Sequence, residues 1–279
     1  MKKILTIGAI AIIIAGIVLL GYPTISDYLM RRNSTRAIEN YTLSVAMMNQ
    51  QDIEQEWAEA QKYNQLLAND MRELTSFSKK NLEGNDLYEG VLDLHEEIGH
   101  IEIPKIDVRL PIYHGTDESV LKKGIGHMAN TAFPIGSMDS HAVLTGHSGL
   151  SEATLFTKLE ELEIEDTFYI NILDKRFKYR IKLIEVVTPE DTSLLQMERG
   201  KSYTTLVTCT PYGINTHRLL VRGEYITREQ QSTDEVVTKR NYDDIPKIIG
   251  AVTILIISFV GFIWRRHKKR RRDSAKKNN

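Results

Sequence analysis

The chain has 279 residues, of which 42% are hydrophobic and 26% are charged. These proportions exclude a disordered chain, which would be poorer in apolar residues, and a transporter with many membrane spans, which would be far more apolar. A single cysteine excludes a disulfide framework within the chain and a zinc site built on clustered cysteines. The formal net charge of −1 is an average over regions of very different charge.

An uncharged apolar run covers residues 4–20, directly after Lys2 and Lys3. A run of this length near the N terminus is typical of a membrane anchor or a signal peptide rather than of a buried core helix. Residues 21–26 (GYPTIS) fit poorly with the small-residue pattern at which signal peptides are cleaved. We therefore interpret residues 1–25 as an N-terminal membrane anchor, with a cleaved signal as the alternative.

A second uncharged run covers residues 248–264 and ends in Trp264, an aromatic residue of the kind enriched at membrane interfaces. Residues 265–279 follow at once, with nine Lys or Arg and one Asp. Because basic flanks of membrane spans stay in the cytoplasm, we predict a transmembrane helix, a basic cytoplasmic tail and both termini inside the cell. The part between the two spans would then be extracellular with a net charge of −11, which argues against nucleic-acid binding.

The extracellular part begins with residues 26–74, which contain neither proline nor glycine. Apolar residues recur there at helical spacing, so we predict one or two amphipathic helices. These helices can form a partner-binding surface, but a stalk that packs on the domain and spaces it from the membrane is the simpler interpretation. Residues 75–96 are polar and rich in turn residues, and they predict a loop with a short helix over 88–94.

Short strands separated by turns dominate residues 97–228, with the clearest alternation over 177–183 (FKYRIKL). Many short strands with little intervening helix predict a mainly β domain, either a barrel or a sandwich. Residues 151–161 are the one helical candidate within it, and residues 229–247 form a polar tether. The candidate strands are 100–103, 108–112, 140–144, 167–172, 177–187, 206–208 and 219–225.

Cys209, the only cysteine, ends a strand rich in β-branched residues and precedes a turn built on Pro211 and Gly213. A free cysteine is often a buried structural thiol. The end of a strand, however, is where a scaffold exposes reactive groups. We therefore take Cys209 as a candidate nucleophile, which needs a base or a cation nearby because the thiolate is the reactive form.

His147 is the favoured base, since it follows the strand that ends at residue 145 and has Gly146 and Gly149 on its two sides. Glycines allow a sharp turn at the end of a strand. On the sequence alone, His141 and His217 remain rivals for the same role.

Arg218 comes nine residues after Cys209 and begins the next strand. Acyl transfer develops negative charge on a carbonyl oxygen, and a fixed guanidinium can stabilise that charge. An arginine on a strand is ordinarily a surface residue. If strands 206–208 and 219–221 pair, however, the loop between them returns Arg218 to the side of Cys209.

Residues 205–219 (TLVTCTPYGINTHRL) closely resemble the signature of the sortase family, and residues 146–150 (GHSGL) are similar to its histidine motif. Residues 99–115 (GHIEIPKIDVRLPIYHG) resemble the opening strands of the sortase barrel. The loop over 211–217 (PYGINTH), together with a membrane span at each end, resembles class C, the pilus-assembling sortases of Gram-positive bacteria.

The resemblance implies a closed β-barrel and a cysteine transpeptidase with His147, Cys209 and Arg218 as its catalytic residues. Cys209 would cleave an LPxTG-like sorting signal of a pilin between Thr and Gly, and the acyl group would pass to a lysine of another pilin. No metal or organic cofactor is implied. Thr208, Tyr212 and Asn215 are the neighbouring candidates for substrate contact. One alternative is a housekeeping sortase that attaches proteins to peptidoglycan; a second is a non-catalytic, membrane-tethered binding domain.

Class C sortases often carry a lid before the barrel, with an Asp-Pro-aromatic motif lying in the active site. The matching stretch here is residues 75–81 (TSFSKKN), in which Phe77 can stand for the aromatic residue while the Asp and the Pro are missing. Aspartate supplies a charge and proline a rigid turn. We therefore expect a weakly held lid or none.

Overall fold

The computed structural model describes residues 2–70, 86–94, 96–148 and 155–227. All of them lie within the larger of two compact units, Met1–Thr233. The predictions for residues 229–279, and for Phe77 and the rest of the lid candidate, fall outside these described ranges. None of the helices in the described ranges is both long enough and apolar enough to cross a membrane.

Two long helices precede the barrel, α1 (Lys2–Met47) and α2 (Gln50–Asp70). The predicted N-terminal helices are therefore present. Asn49 caps the start of α2: its side-chain Oδ1 accepts the backbone N–H of Asp52 at 2.9 Å, as an N-cap residue does. The positions of the apolar repeat are buried against the barrel; they include Ile38, Tyr41, Val45, Trp57, Ala60 and Tyr63.

Polar side chains fix both helices to the barrel. The Tyr41 hydroxyl of α1 donates to the carbonyl of Ile98 at 2.9 Å and accepts the backbone N–H of Leu173 at 2.8 Å. Trp57 of α2 donates its ring N–H to Asp174 at 3.0 Å. A buried aromatic side chain whose polar group is hydrogen-bonded contributes both apolar contact area and a defined orientation. These contacts therefore fix the position of each helix on the barrel.

The strands of the described residues close into a barrel in the order β1-β2-β3-β4-β7-β8-β6-β5. The ring closes because β1 pairs with β5 as well as with β2. This confirms the mainly β closed barrel. The strands are β1 (Glu97–Ile103), β2 (Val108–His114), β3 (Ile125–His127), β4 (Ser140–Thr145), β5 (Thr167–Ile172), β6 (Lys175–Val187), β7 (Ser202–Thr210) and β8 (His217–Tyr225).

Three local elements differ from the sequence-based expectation. Strand β3 has only three residues, too few to show an alternation. The short helix expected over 88–94 is α3 (Asp86–Glu89), and the positive φ of 59° at Leu92 is incompatible with its continuation. The described part of 151–161 has a turn and a 3-10 helix, Leu159–Glu161, rather than an α-helix.

The two faces of β7 have different surroundings, since successive side chains of a strand point to opposite sides. Leu206 belongs to the main hydrophobic core, whereas Val207 belongs to a separate small cluster. By the same alternation, Thr208 lies on the main-core face and Cys209 on the face of the small cluster. The small cluster consists of Met128, Val143, Leu195, Val207 and Leu220.

Candidate active site

Strand register brings the three predicted catalytic residues into one row. Strand β4 runs parallel to β7 with Thr145 beside Val207, and His147 and Cys209 each lie two residues further on. Strand β8 runs antiparallel to β7 and places Arg218 directly opposite Cys209. Because neighbouring strands lie about 5 Å apart, the row places an imidazole, a thiol and a guanidinium at one end of the barrel.

Cys209 is a free, partly buried cysteine. The predicted pairing of its strand with the strand of Arg218 is present from His217 to Glu224 of β8. Side chains directly opposite one another in an antiparallel pair share a face of the sheet. The Arg218 guanidinium donates to the backbone carbonyls of Asn215 at 3.3 Å and His217 at 3.1 Å, so it is held by its own loop.

The segment leading to His147 is fixed by backbone contacts. The Gly146 N–H donates to the carbonyl of Val207 at 3.0 Å, which continues the β4–β7 ladder past the end of β4. The His147 carbonyl accepts the N–H of Phe156 at 3.1 Å. A Cβ added at Gly146 would lie 2.7 Å from side-chain atoms of both Ile125 and Phe156, so close packing requires glycine here.

The His147 side chain is 24% exposed, and its Nε2 lies 3.3 Å from a carboxylate oxygen of Glu118. Among the described residues this buried nitrogen has no hydrogen-bond partner, so the contact has the distance of an ion pair without hydrogen-bond geometry. Sequence reasoning missed Glu118. No local signal points to it, because a glutamate in a short surface helix is indistinguishable by pattern from other solvated acids.

The rival histidines have other surroundings. His141 sits beside Tyr203 at the start of β4, far along the strands from Cys209. Its ring nitrogens bond the Gln196 carbonyl at 2.9 Å and the Thr205 hydroxyl at 2.7 Å. Burial lowers the pKa of His141 to about 4, so it is a neutral structural residue.

His217 begins β8 in an exposed position, with Nδ1 2.9 Å from the hydroxyl of Thr216. It lies opposite Thr210, one residue outside the row. Neither His217 nor His141 therefore lies level with Cys209 as His147 does.

The neighbouring candidates divide into two kinds. Thr208 is buried at 3% exposure, and its hydroxyl donates to the Gly146 carbonyl at 2.8 Å, so it supports the segment before His147 from inside. Tyr212 and Asn215 lie in the exposed loop between β7 and β8. Tyr212 is 62% exposed, and Asn215 has a φ of 60°. The loop therefore presents side chains next to Cys209.

The row has the composition of an acyl-transfer site. A thiol can attack a carbonyl, an imidazole can move a proton, and a guanidinium can stabilise an oxyanion. In the part of the chain that the structure describes, no three His, Cys, Asp or Glu side chains are grouped so as to hold a metal ion.

Comparison with known proteins agrees with this geometry. Residues 101–226 match the family model described as a sortase domain. The chain is 33% identical over 132 residues to Sortase D of Bacillus subtilis, an alignment that covers 46% of this chain and 64% of that protein.

Solved structures extend the similarity to a larger share of the chain. Sortase C1 of Streptococcus agalactiae is 39% identical with a TM-score of 0.63, and the alignment covers 69% of this chain and 99% of that one. A sortase C of Streptococcus pneumoniae, described in terms of catalysis and pilin substrate specificity, is 35% identical with a TM-score of 0.63. There the alignment covers 69% of this chain and 97% of the other.

Proposed function

Since this chain belongs to the sortase family of cysteine transpeptidases, we propose that it polymerises pilins by joining the sorting signal of one subunit to a lysine of the next. The observation that carries the proposal is the row His147–Cys209–Arg218, formed by the segment just after β4 and by the paired strands β7 and β8. The row supplies a nucleophile, a proton carrier and an anion-stabilising group on one face of the barrel.

In the first half-reaction, the Cys209 thiolate attacks the carbonyl carbon of Thr in an LPxTG-like signal. The negative charge that develops on the carbonyl oxygen is stabilised by the Arg218 guanidinium. The C–N bond to Gly then breaks, and His147 gives its proton to the leaving amine. The products are a thioester on Cys209 and a free glycyl peptide.

In the second half-reaction, the neutral ε-amine of a pilin lysine attacks the thioester carbonyl. His147, now unprotonated, accepts a proton from the attacking nitrogen, and the Cys209 sulfur leaves. An isopeptide bond forms, and the thiolate and the imidazolium are restored. The same histidine therefore acts first as acid and then as base.

The proposed choice of a pilin rests on two supports. The loop over 211–217, next to the nucleophile, resembles the class C loop. The solved neighbours are sortases C, one of them described by its pilin substrate specificity. A housekeeping sortase would instead pass the same thioester to an amine of a peptidoglycan precursor.

We also propose a membrane tether at each end, with both termini cytoplasmic and the barrel outside the cell. The support is the sequence alone: uncharged runs over 4–20 and 248–264, and a tail with nine Lys or Arg. The topology is tested by adding an epitope tag after residue 279 and treating intact protoplasts with a protease. The barrel should be digested and the tag protected; digestion of the tag would refute the topology.

The full-length enzyme in detergent, a peptide with an LPxTG-like signal and purified pilins test the function. A covalent acyl adduct should appear on Cys209, and mass spectrometry should locate an isopeptide bond at a pilin lysine. Cys209→Ala should abolish both, while the control His217→Ala should keep them.

Each of the other outcomes identifies a different function. Transfer only to a peptidoglycan-derived amine would make the protein a housekeeping sortase. Absence of any adduct on Cys209 would make it a binding domain.

A further inference from the structure

A short helix between β2 and β3, α4 (Glu118–Leu121), is held tightly against the barrel. Leu121 is buried, and a Cβ added at Gly126 of β3 would clash with the Gly115 carbonyl oxygen and lie 3.1 Å from the Leu121 side chain. The absence of a side chain at Gly126 therefore lets the loop that carries α4 lie directly on β3.

Strand β3 in turn places α4 next to the catalytic row. Gly126 pairs with Thr145, the last residue of β4, and His147 follows two residues later. The helix thus lies beside the end of β4, close to the segment that carries the His147 imidazole. The position of Glu118, the first residue of α4, follows from this packing and not from proximity in sequence.

The two carboxylate oxygens of Glu118 lie near two basic side chains. Oε2 lies 3.3 Å from Nε2 of His147, and Oε1 lies 3.4 Å from the Lys122 ammonium one helical turn further on. The buried His147 Nε2 has no hydrogen bond within the described ranges. The carboxylate therefore acts on this nitrogen through charge at short range.

We propose that Glu118 is a positioning residue for His147, whose imidazolium form it stabilises from the Nε2 side, so that Nδ1 is the nitrogen that exchanges the proton. The inference rests on the proposed acid and base roles of His147. An imidazolium is needed twice: as the cation beside the Cys209 thiolate before attack, and as the acid that protonates the leaving amine.

The expected effect is modest, because the Glu118 side chain is 59% exposed and Lys122 shares its charge. Partly exposed charge pairs of this kind change an equilibrium by about two- to fivefold. Loss of the Glu118 charge should therefore lower the rates of thioester formation and of Cys209 alkylation by a factor of that size. A variant that keeps the charge should not show this loss.

The test uses full-length Glu118→Gln and Glu118→Asp, with Glu96→Gln as the matched control. Glu96 is also an exposed acid paired with a lysine, Lys123 at 3.0 Å, but no contact joins it to His147 in the described part of the chain. Two rates are measured at pH 7: single-turnover formation of the peptide thioester, with the peptide concentration dependence separating binding from chemistry, and alkylation of Cys209 by iodoacetamide.

Glu118→Gln should lower the maximal rate of thioester formation and the alkylation rate by about two- to fivefold, with half-saturation by peptide unchanged. Glu118→Asp, which keeps the charge, should retain most of both rates, and Glu96→Gln should match the wild type. Melting temperatures should agree among all four proteins.

Three results would overturn the inference: Glu118→Gln as fast as wild type, Glu118→Asp as slow as Glu118→Gln, or Glu96→Gln equally slow. Alkylation needs neither sorting peptide nor pilin. A protein that fails to join pilins but shows the Glu118 dependence in alkylation would therefore refute the proposed substrate and leave the role of Glu118 standing.

Discussion

The hydroxyl of Thr208 donates a 2.8 Å hydrogen bond to the backbone carbonyl of Gly146. This bond joins the residue before the candidate nucleophile to the residue before the candidate base. It lies on the main-core face of β7, where water cannot replace it. The relative position of Cys209 and His147 therefore depends on a buried hydroxyl that is neither the nucleophile nor the base.

Thr208→Val should impair chemistry without removing a reacting group. The Gly146 carbonyl would lose a buried partner, which costs about 1–3 kcal/mol in the free energy of unfolding. We expect a lower maximal rate of thioester formation with half-saturation by peptide nearly unchanged, measured by single-turnover kinetics. Thr208→Ser keeps the hydroxyl and is the control. Equal losses in the two variants would show that the hydrogen bond does not set the geometry.

Arg218→Lys should lower the rate of thioester formation by about 100-fold, since removing one oxyanion-stabilising group commonly costs 10²–10³ in rate. A lysine ammonium keeps the charge but cannot reproduce the planar fork of the guanidinium. Peptide turnover and capture of the Cys209 adduct measure the effect. Arg222→Lys, on the same strand, is the control. A rate for Arg218→Lys within twofold of wild type would exclude Arg218 from the reaction.

His147→Ala and His141→Ala should have opposite effects. His147→Ala should nearly abolish turnover with little change in melting temperature. His141→Ala should keep the chemistry but destabilise the fold by about 1–3 kcal/mol, because its buried bonds to Gln196 and Thr205 would be lost. Turnover and thermal melting measured on both variants show which histidine is catalytic and which is structural. An active His147→Ala enzyme beside an inactive, stable His141→Ala enzyme would reverse the assignment.

Acid should destabilise the barrel through its buried histidines. Burial lowers the pKa of His141 to about 4 and that of His127 to about 3. Between these values and the unfolded pKa of about 6.5, the unfolded chain binds protons that the folded chain does not, so stability falls as the pH drops. The stabilisation is complete above about pH 6.5 and is lost toward pH 4.

Urea unfolding at pH 7 and at pH 5 measures this effect. The free energy of unfolding should fall by as much as about 2 kcal/mol per buried histidine over this range. His141→Asn removes one of the two groups and should show a smaller fall than wild type. An identical pH dependence in the two proteins would mean that His141 is not the group responsible.

Local sequence was sufficient where the relevant contacts are close along the chain. Cys209 and Arg218 belong to one antiparallel pair joined by a short loop, so the strand pattern and the loop length already indicate their juxtaposition. The alternating strands and the amphipathic N-terminal helices follow from periodicity for the same reason. Strand β3 is too short for any period to appear, and its place depends on Gly126 fitting against Gly115.

The sequence by itself determined that one cysteine ends a strand and that an arginine returns beside it. It also indicated a mainly β domain, with helices before it. The sequence favoured His147 but left His141 and His217 as rivals; the tertiary structure separated them, because the parallel register of β4 and β7 links residues about 60 positions apart. Only the structure found Glu118, since its approach to His147 depends on how α4 packs on β3. The periodicity of a sequence indicates which face of a single helix or strand is buried. The site depends instead on how elements that are far apart in the sequence align with one another.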